Sequence, residues 1–550
     1  MRAGAGLTQL KLAKKRRKLV ITLDFVKAPA RFACNRSETM MLLPLTKEAI
    51  MKPNLSTRMF KAHEAHWRVR TACTLLIFSI ATAITSEAQT YNVLARFVKG
   101  DGAMPRSLVQ GADGDFYGVG LIGGNNGGGS IFKVTPAGTV TPLYIFCLRE
   151  PCRDGRKPNG LVLASDGNFY GTTRSGGESE NGSIFQVTTA GTVTTLYSFC
   201  PGHQSCTDGV FPEGELIQGS DGDLYGTTFH GGNHDGGTVF KITLSGVFTS
   251  LYSFCSQSPN CADGTNPTAG LVEATNGMFY GTTSRGGANP GGSCEPIFQG
   301  CGTLFRISST GKLTTLYNFC AQPNCADGLF PEASLIQAAG GMIYGTTSSG
   351  GLVDGTCTMG CGIAFRISPI GGALTILHAF TNSEGTQVQN LIQATDGSFY
   401  GTARSGGSSN LGTLFKMNSA GSVTVLFNFC DDASCKFSTS PSGVMQATSG
   451  LFYGTTSGVG PGHGNVFTFG FPPFIRISPA SGPIGTMVRI YGTDLSGATG
   501  VTFNGASATF TIVSPAEITT SVPAGASFGR VKVATPAATL VSDVVFRVTK

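Results

Sequence analysis

Six acidic turns recur along the chain: Asp101, Asp154, Asp208, Asp263 and Asp327, each followed by glycine, and Glu384 before Gly385. Carboxylates are hard oxygen ligands, and a set of them gathered toward one axis, around the mouth of a central channel, would hold calcium, Asp208, Asp263 and Asp327 in particular. An Asp-Gly pair is also an ordinary way to turn a chain, so six turns without a metal is the simpler alternative. No other cofactor is suggested. The stretch HGGNH (230–234) with Asp235 offers two imidazoles and a carboxylate, but without the frame that fixes zinc ligands it reads as an exposed glycine-rich loop. His203, His230, His234, His378 and His463 lie in no relay context, and no GxSxG, HExxH or phosphate-cradling motif occurs. No catalytic residue is therefore assigned, and the balance falls on a chain that is not an enzyme.

The sulfur chemistry is better defined. Of 16 cysteines, all but Cys34 and Cys73 form close pairs: Cys147/Cys152, Cys200/Cys206, Cys255/Cys261, Cys294/Cys301, Cys320/Cys325, Cys357/Cys361 and Cys430/Cys435. Even, local pairing in an exported chain reads as disulfides. Export is itself legible. KAHEAHWRVR (61–70) is a basic region ahead of the apolar run TACTLLIFSIATAIT (71–85), and SEA (86–88) supplies the small residues of a cleavage site, placing the cut after Ala88. Residues 59–88 thus read as a signal peptide, and residues 1–58 as a mis-called upstream extension, with Met59 the expected start. The apolar run is too short for a spanning helix, so no transmembrane segment is expected in the mature chain.

Charge excludes a further class of partner. Residues 1–88 hold 16 Lys and Arg against 5 Asp and Glu, while the remainder holds 23 against 27. The basic balance belongs to the leader, so nucleic acid is not an expected ligand.

What positions the loops is a repeat. DGNFYGTT (166–173) returns as DGDFYGVG (113–120), DGDLYGTT (221–228), NGMFYGTT (276–283) and DGSFYGTA (396–403). The motif tyrosines are Tyr117, Tyr170, Tyr225, Tyr280, Tyr344, Tyr400 and Tyr453, 53 to 64 residues apart. Within one copy, ELIQGS, DLYGTT, TVFKIT and VFTSLYSF read as four strands joined by turns, which is a β-propeller blade. The glycine after each tyrosine removes a side chain where neighbouring sheets or backbones approach closely. The last copy (451–470) lacks its fourth strand, and YNVLARF (91–97), ahead of the first copy, resembles one. The expected fold is all-β: a seven-bladed propeller over 89–472, closed by strand 91–97, then an Ig-like β-sandwich over 473–550.

The tandem DGxhYGTT…GGxxxxGTVFKI unit over about 91–470 resembles the GloVer repeats of bacterial choice-of-anchor surface proteins. The tail, with SPASGPIGT (478–486), VRIYG (488–492) and VTFNG (501–505), is similar to IPT/TIG domains. The first resemblance implies a surface protein with no assigned catalytic residues; the second implies an accessory sandwich of the kind found in surface receptors and polysaccharide-acting enzymes. The chain ends DVVFRVTK (543–550), without the hydrophobic tail of a sorting anchor.

In a four-stranded blade the strand-2/3 loops and the crossovers to the next blade emerge on one side. All seven cysteine pairs therefore map to one face, whereas the other carries only short turns. That stapled face is the expected binding surface, with Phe211 and Phe330, ahead of prolines, as exposed contacts and a glycan or surface protein as the partner. Two alternatives stay open: a polysaccharide lyase or hydrolase working from carboxylates at the channel mouth, and a purely structural surface protein.

Overall fold

The computed structural model describes residues 10–34 and 90–549, apart from residues 16–17, 26–27, 98–102, 124–126, 204, 258–260, 290–293, 295–299, 354, 431–438, 459–463, 471–474, 493–494, 515–516 and 537–538. The signal peptide, the cleavage site after Ala88, Asp101 and Cys435 lie outside the described residues. Contacts divide the chain into Met1–Ser86 and Glu87–Lys550. In the first unit, Leu10–Lys15, Lys18–Phe25 and Ala28–Cys34 form an antiparallel meander.

From Thr90 to Gly470 the chain forms seven antiparallel sheets, each with the strand order of one repeat. This is a seven-bladed propeller. Blades 1 to 6 begin at Ala103, Arg156, Val210, Val272, Ile336 and Thr386. Blade 7 takes Pro441–Gln446, Phe452–Thr456 and Asn465–Gly470 from the end of the repeats and Thr90–Arg96 from their start, paired from Gly470↔Thr90 to Asn465↔Arg96. The ring therefore closes by main-chain hydrogen bonds and leaves no free edge at the joint.

The repeated residues explain the geometry. In blade 3 the Asp221 carboxylate accepts the Asp223 N–H at 3.2 Å and the Tyr225 hydroxyl at 2.6 Å, so the aspartate that opens the turn also satisfies the phenol of the buried tyrosine. The same bond joins Tyr117 to Asp113, Tyr170 to Asp166 and Tyr400 to Asp396. Burial and then the Asp166 bond push the Tyr170 hydroxyl up to about 12. The glycine after the tyrosine makes room within its own blade, for a ring and in places for first-strand backbone, rather than for a neighbouring sheet: a Cβ on Gly226 would stand 2.6 Å from Cζ of its cross-strand partner Phe240, and one on Gly171 would press on the Gly160 carbonyl oxygen.

Blades are joined by three recurring contacts. The motif tyrosine stacks on the phenylalanine of the next blade, as in Tyr225 on Phe279 at 3.9 Å, and Tyr453 on Phe116 at 4.0 Å repeats the contact across the closure. In every blade but the second, whose first strand ends in Leu163, a glutamine or glutamate ending the first strand reaches the preceding blade's turn: Ser165 N–H donates to Gln218 and Thr448 N–H to Gln110, at 2.8 and 2.9 Å. Proline rings pack on glycines of the preceding blade, Pro212 against Gly182 and Pro105 against Gly464.

Beyond the propeller, strands from Ile475 to Val548 pair in the order Ala506–Ala508, Gly500–Phe503, Gly529–Ala534, Thr539–Val548, Ile475–Ser478, Met487–Gly492, Glu517–Ser521, Phe510–Ser514, with Ser481–Gly482 also on Thr539–Val548. Val488, Ile490, Val501, Phe503, Ile518 and Phe546 are among the side chains of their separate core. Alternation of buried and exposed residues in Ile475–Ser478 shows the period of two that places one side of a strand on that core.

Candidate functional site

The ring carries two candidate features. The first is the set of stapled loops. Disulfides join Cys147–Cys152, Cys200–Cys206, Cys255–Cys261 and Cys320–Cys325 in crossovers, and Cys294–Cys301 and Cys357–Cys361 in strand-2/3 loops. Cys430 is also disulfide-bonded. Paired glycines with positive φ tie the two kinds of loop together. Gly177, Gly232, Gly287 and Gly351 donate their N–H to the carbonyls of Cys152, Cys206, Cys261 and Cys325, at 2.8 to 3.0 Å. The sulfurs of Cys301, Cys320 and Cys325 lie within 4.8 Å of one another, which brings a strand-2/3 staple beside a crossover staple. Those sulfurs are already spent in disulfides.

The acidic turns brace these loops. The Asp208 carboxylate accepts the Tyr197 hydroxyl and the Cys200 N–H, both at 2.8 Å, and Asp154 does the same for Tyr144 and Cys147. Asp263 is fully buried and accepts from the Tyr252 hydroxyl, Ser256 and the Gln257 N–H. Asp327 is equally buried and accepts from the Tyr317 hydroxyl at 2.7 Å, Ala321 N–H at 2.8 Å and Gln322 N–H at 3.1 Å. Glu384 lies 3.0 Å from His378 Nε2; burial pushes its carboxyl up, but His378 and Thr381 hold it below the usual range. Each tyrosine partner sits on a fourth, outer strand, so these carboxylates are held one per blade and do not line the channel. Asp327→Ala is expected to strand three buried donors and cost about 3 kcal/mol, with Asp327→Asn recovering part, read as the midpoint of urea unfolding.

Phe211 and Phe330 are half-buried. Their backbones, with those of Met104, Lys157, Asn266, Gln387 and Ser440, occupy the left-handed region at φ of 54° to 57°, one per blade. Phe211 N–H donates to Asn181 O and Phe330 N–H to Cys301 O, at 2.8 and 3.0 Å, which anchors each first strand to the loop of the preceding blade.

The second feature is the central channel, a cavity of about 490 Å³ lined in every blade by the first strand or the segment leading into it. Two residues beyond each left-handed position comes a polar side chain that differs from blade to blade: Arg106, Asn159, Glu213, Thr268, Glu332, Gln389 and Ser442. Glu215 and Arg404 join them in the wall. Arg174 Nε reaches Glu213 at 2.8 Å, and Asn159 donates to Thr172 at 3.1 Å. Burial pushes the carboxyls of Glu213, Glu215 and Glu332 above the usual range despite nearby guanidinium groups, and Glu213 adds to the rise at Glu332. Burial likewise lowers Arg106, with Arg404 adding to it. The Glu215 side chain is exposed within the channel. No reading of the acidic turns pointed to these residues, because they stand at the positions where the repeats disagree.

Residues 77–295, 258–469 and 353–543 match the Gloeobacter/Verrucomicrobia repeat. The chain belongs to that family. In this Gloeobacter/Verrucomicrobia repeat protein each matched stretch spans several blades, and one copy of the tyrosine motif falls in each blade. No curated protein matches its sequence. Among solved structures it is similar to one described as the extracellular domain of a hybrid two-component system of B. thetaiotaomicron, at 10% identity and TM-score 0.46, covering 82% of this chain and 54% of that one. A second such domain from B. thetaiotaomicron shows 11% identity and TM-score 0.45, over 74% of this chain and 46% of that one. The chain thus spans about half the length of these two. A fungal alcohol oxidase of the AA5 family, in complex with copper, shows 12% identity and TM-score 0.45 over 82% of this chain and 98% of that one. Among the described residues, no helix is long and apolar enough to cross a membrane.

Proposed function

We propose that this chain is an exported, non-catalytic binding or adhesion module that grips a glycan or a surface protein through its disulfide-stapled face. The tail is read as an Ig-like IPT/TIG sandwich serving as an accessory domain. The observation that carries the reading is the coincidence of the stapled loops with one another on one face, cross-bonded from crossover to strand-2/3 loop in four blades. Loops fixed in this way lose little conformational freedom on binding, and local disulfides suit an oxidising exterior. The opposite face carries tight Asp-Gly turns whose side chains already bond to their own blade and the next.

Calcium at Asp208, Asp263 and Asp327 would compete with loop donors for these oxygens, so the reading gives the carboxylates the role of braces and keeps calcium as an arm of the test. That test is a glycan-array screen of residues 89–550, with calcium and with chelator, beside a pull-down against intact cell-surface protein. Binding to a defined sugar class or to one surface protein is the expected result. No binding in either format would remove the reading and leave a structural role.

A second reading, a polysaccharide hydrolase or lyase, is favoured by the carboxyls of Glu213, Glu215 and Glu332, which burial shifts upward, the direction a general acid needs. Release of new reducing ends from an array-positive glycan would select it.

A further inference from the structure

We infer that the central channel is itself a ligand site, and that its ligand is a small neutral polyhydroxyl compound, a free sugar or the end unit of a glycan chain. The inference takes the chemistry of its ligand from the glycan branch of the binding reading, but places it at the axis rather than across the loops.

The position comes from comparing the blades with one another. Residues that hold the ring together are the same in nearly every blade: the buried tyrosine, the glycine after it and the proline. One position breaks this uniformity. After the proline stand arginine, asparagine, glutamate, threonine, glutamate and serine, with Gln389 after Val388 in the blade that lacks the proline; Arg106, Asn159, Gln389 and Ser442 lie on first strands, and Glu213, Thr268 and Glu332 on the segments that lead into theirs. Sevenfold packing needs no such variety. A single asymmetric ligand on the axis does, because it presents different atoms to each blade.

The class of ligand comes from the charge and the hydrogen-bonding stock. Carboxylates at Glu213, Glu215 and Glu332 face guanidinium groups of Arg106, Arg174, Arg285 and Arg404, so the signs nearly balance. A balanced wall gives no strong field to attract an ion of either sign. What it offers is a dense set of forked donors and acceptors, which matches vicinal hydroxyls. Three residues of the wall, Thr268, Asn390 and Thr455, carry side-chain oxygens that are themselves buried and have no hydrogen-bond partner, so the capacity open to a ligand is that of the exposed arginine, glutamate, glutamine and serine groups. About 490 Å³ lies in the range of small-molecule sites. The aromatic ring in the lining, Tyr453, is stacked on Phe116, so binding relies on polar contacts and is expected to be weak.

Held against channel solvent with raised carboxyls, these glutamates cost the folded state stability as pH rises through their folded values. Replacing one by glutamine should therefore not lower the melting temperature at neutral pH, whereas a purely structural glutamate would.

The experiment is saturation-transfer NMR on residues 89–550 with free glucose, galactose, mannose and N-acetylglucosamine as neutral probes, and with glucuronate, glycine and inorganic phosphate as charged ones. At least one neutral sugar should give transfer in the parent protein. Glu215→Gln and Glu332→Gln should each weaken it at least about tenfold, with melting temperatures no lower than the parent's. Transfer from a charged probe alone would overturn the ligand class. Neutral-sugar transfer unchanged in both variants would overturn the site while leaving the broader binding reading standing. Silence from all four sugars would overturn the inference, and binding on the array would then show that the broader reading survives it.

Discussion

Removing residues 90–97 is expected to abolish the folded propeller at physiological temperature. The strand Thr90–Arg96 supplies the whole outer edge of blade 7, and its loss uncovers the hydrogen-bonding groups of Asn465–Gly470. It also empties aromatic packing: Tyr91 stacks on Phe427 at 4.0 Å, and Phe97, 3% exposed, packs on Phe132 of blade 1 at 4.6 Å. At about 2 kcal/mol for each large buried side chain, the rings and Ala95 together forfeit roughly 5 kcal/mol. That is a large share of the about 5–15 kcal/mol that holds a typical domain. Circular dichroism should show a lowered or absent melting transition, and size-exclusion chromatography should show aggregation through the uncovered edge. Because Gly470 pairs with Thr90, moving residues 90–97 to follow Gly470 through a short turn should restore the monomer. Failure of that rearranged chain to recover would contradict closure by this strand.

The second large effect is expected at the motif glycine. In Gly226→Val the new Cβ meets Phe240 Cζ at 2.6 Å and Leu216 Cδ2 at 2.7 Å, in a core where both partners are fully packed. Overpacking of this kind costs about 1–3 kcal/mol or more, and the branched methyl groups add to it. The effect should be specific to the ring: Phe240→Leu, which shortens the opposing side chain, should recover part of the loss when combined with Gly226→Val. The double-mutant cycle in urea should therefore show strong positive coupling. Independent, additive losses would mean that the glycine serves the backbone and not Phe240.

These two sites mark what the sequence made legible. The buried Tyr225, its Asp221 turn and the glycine beside them recur at a steady period, so the sheet count and the closing strand follow from repetition alone. Even there one detail needed coordinates, since the crowding at Gly226 comes from the Phe240 ring across the same sheet. The acidic turns show where reading a repeat falls short. A crossover runs between rim and axis, and Asp208 was placed toward the axis; Tyr197 on the outer strand instead takes its carboxylate, because a buried phenol and a turn N–H both need an acceptor. The channel wall escaped for the opposite reason. Glu213, Glu332 and Arg106 share a position after proline, but alignment on identical residues hides the place where blades differ.

The most direct test of the account is a map of which surface a bound partner covers. Hydrogen exchange would be compared for residues 89–550 alone and saturated with the best array-positive glycan or captured surface protein. The account predicts slowed exchange in the stapled crossovers around Cys200–Cys206 and Cys320–Cys325 and in the first strands behind them. Protection confined to the Asp-Gly turns of the opposite face, or to the tail strands 475–548, would contradict it.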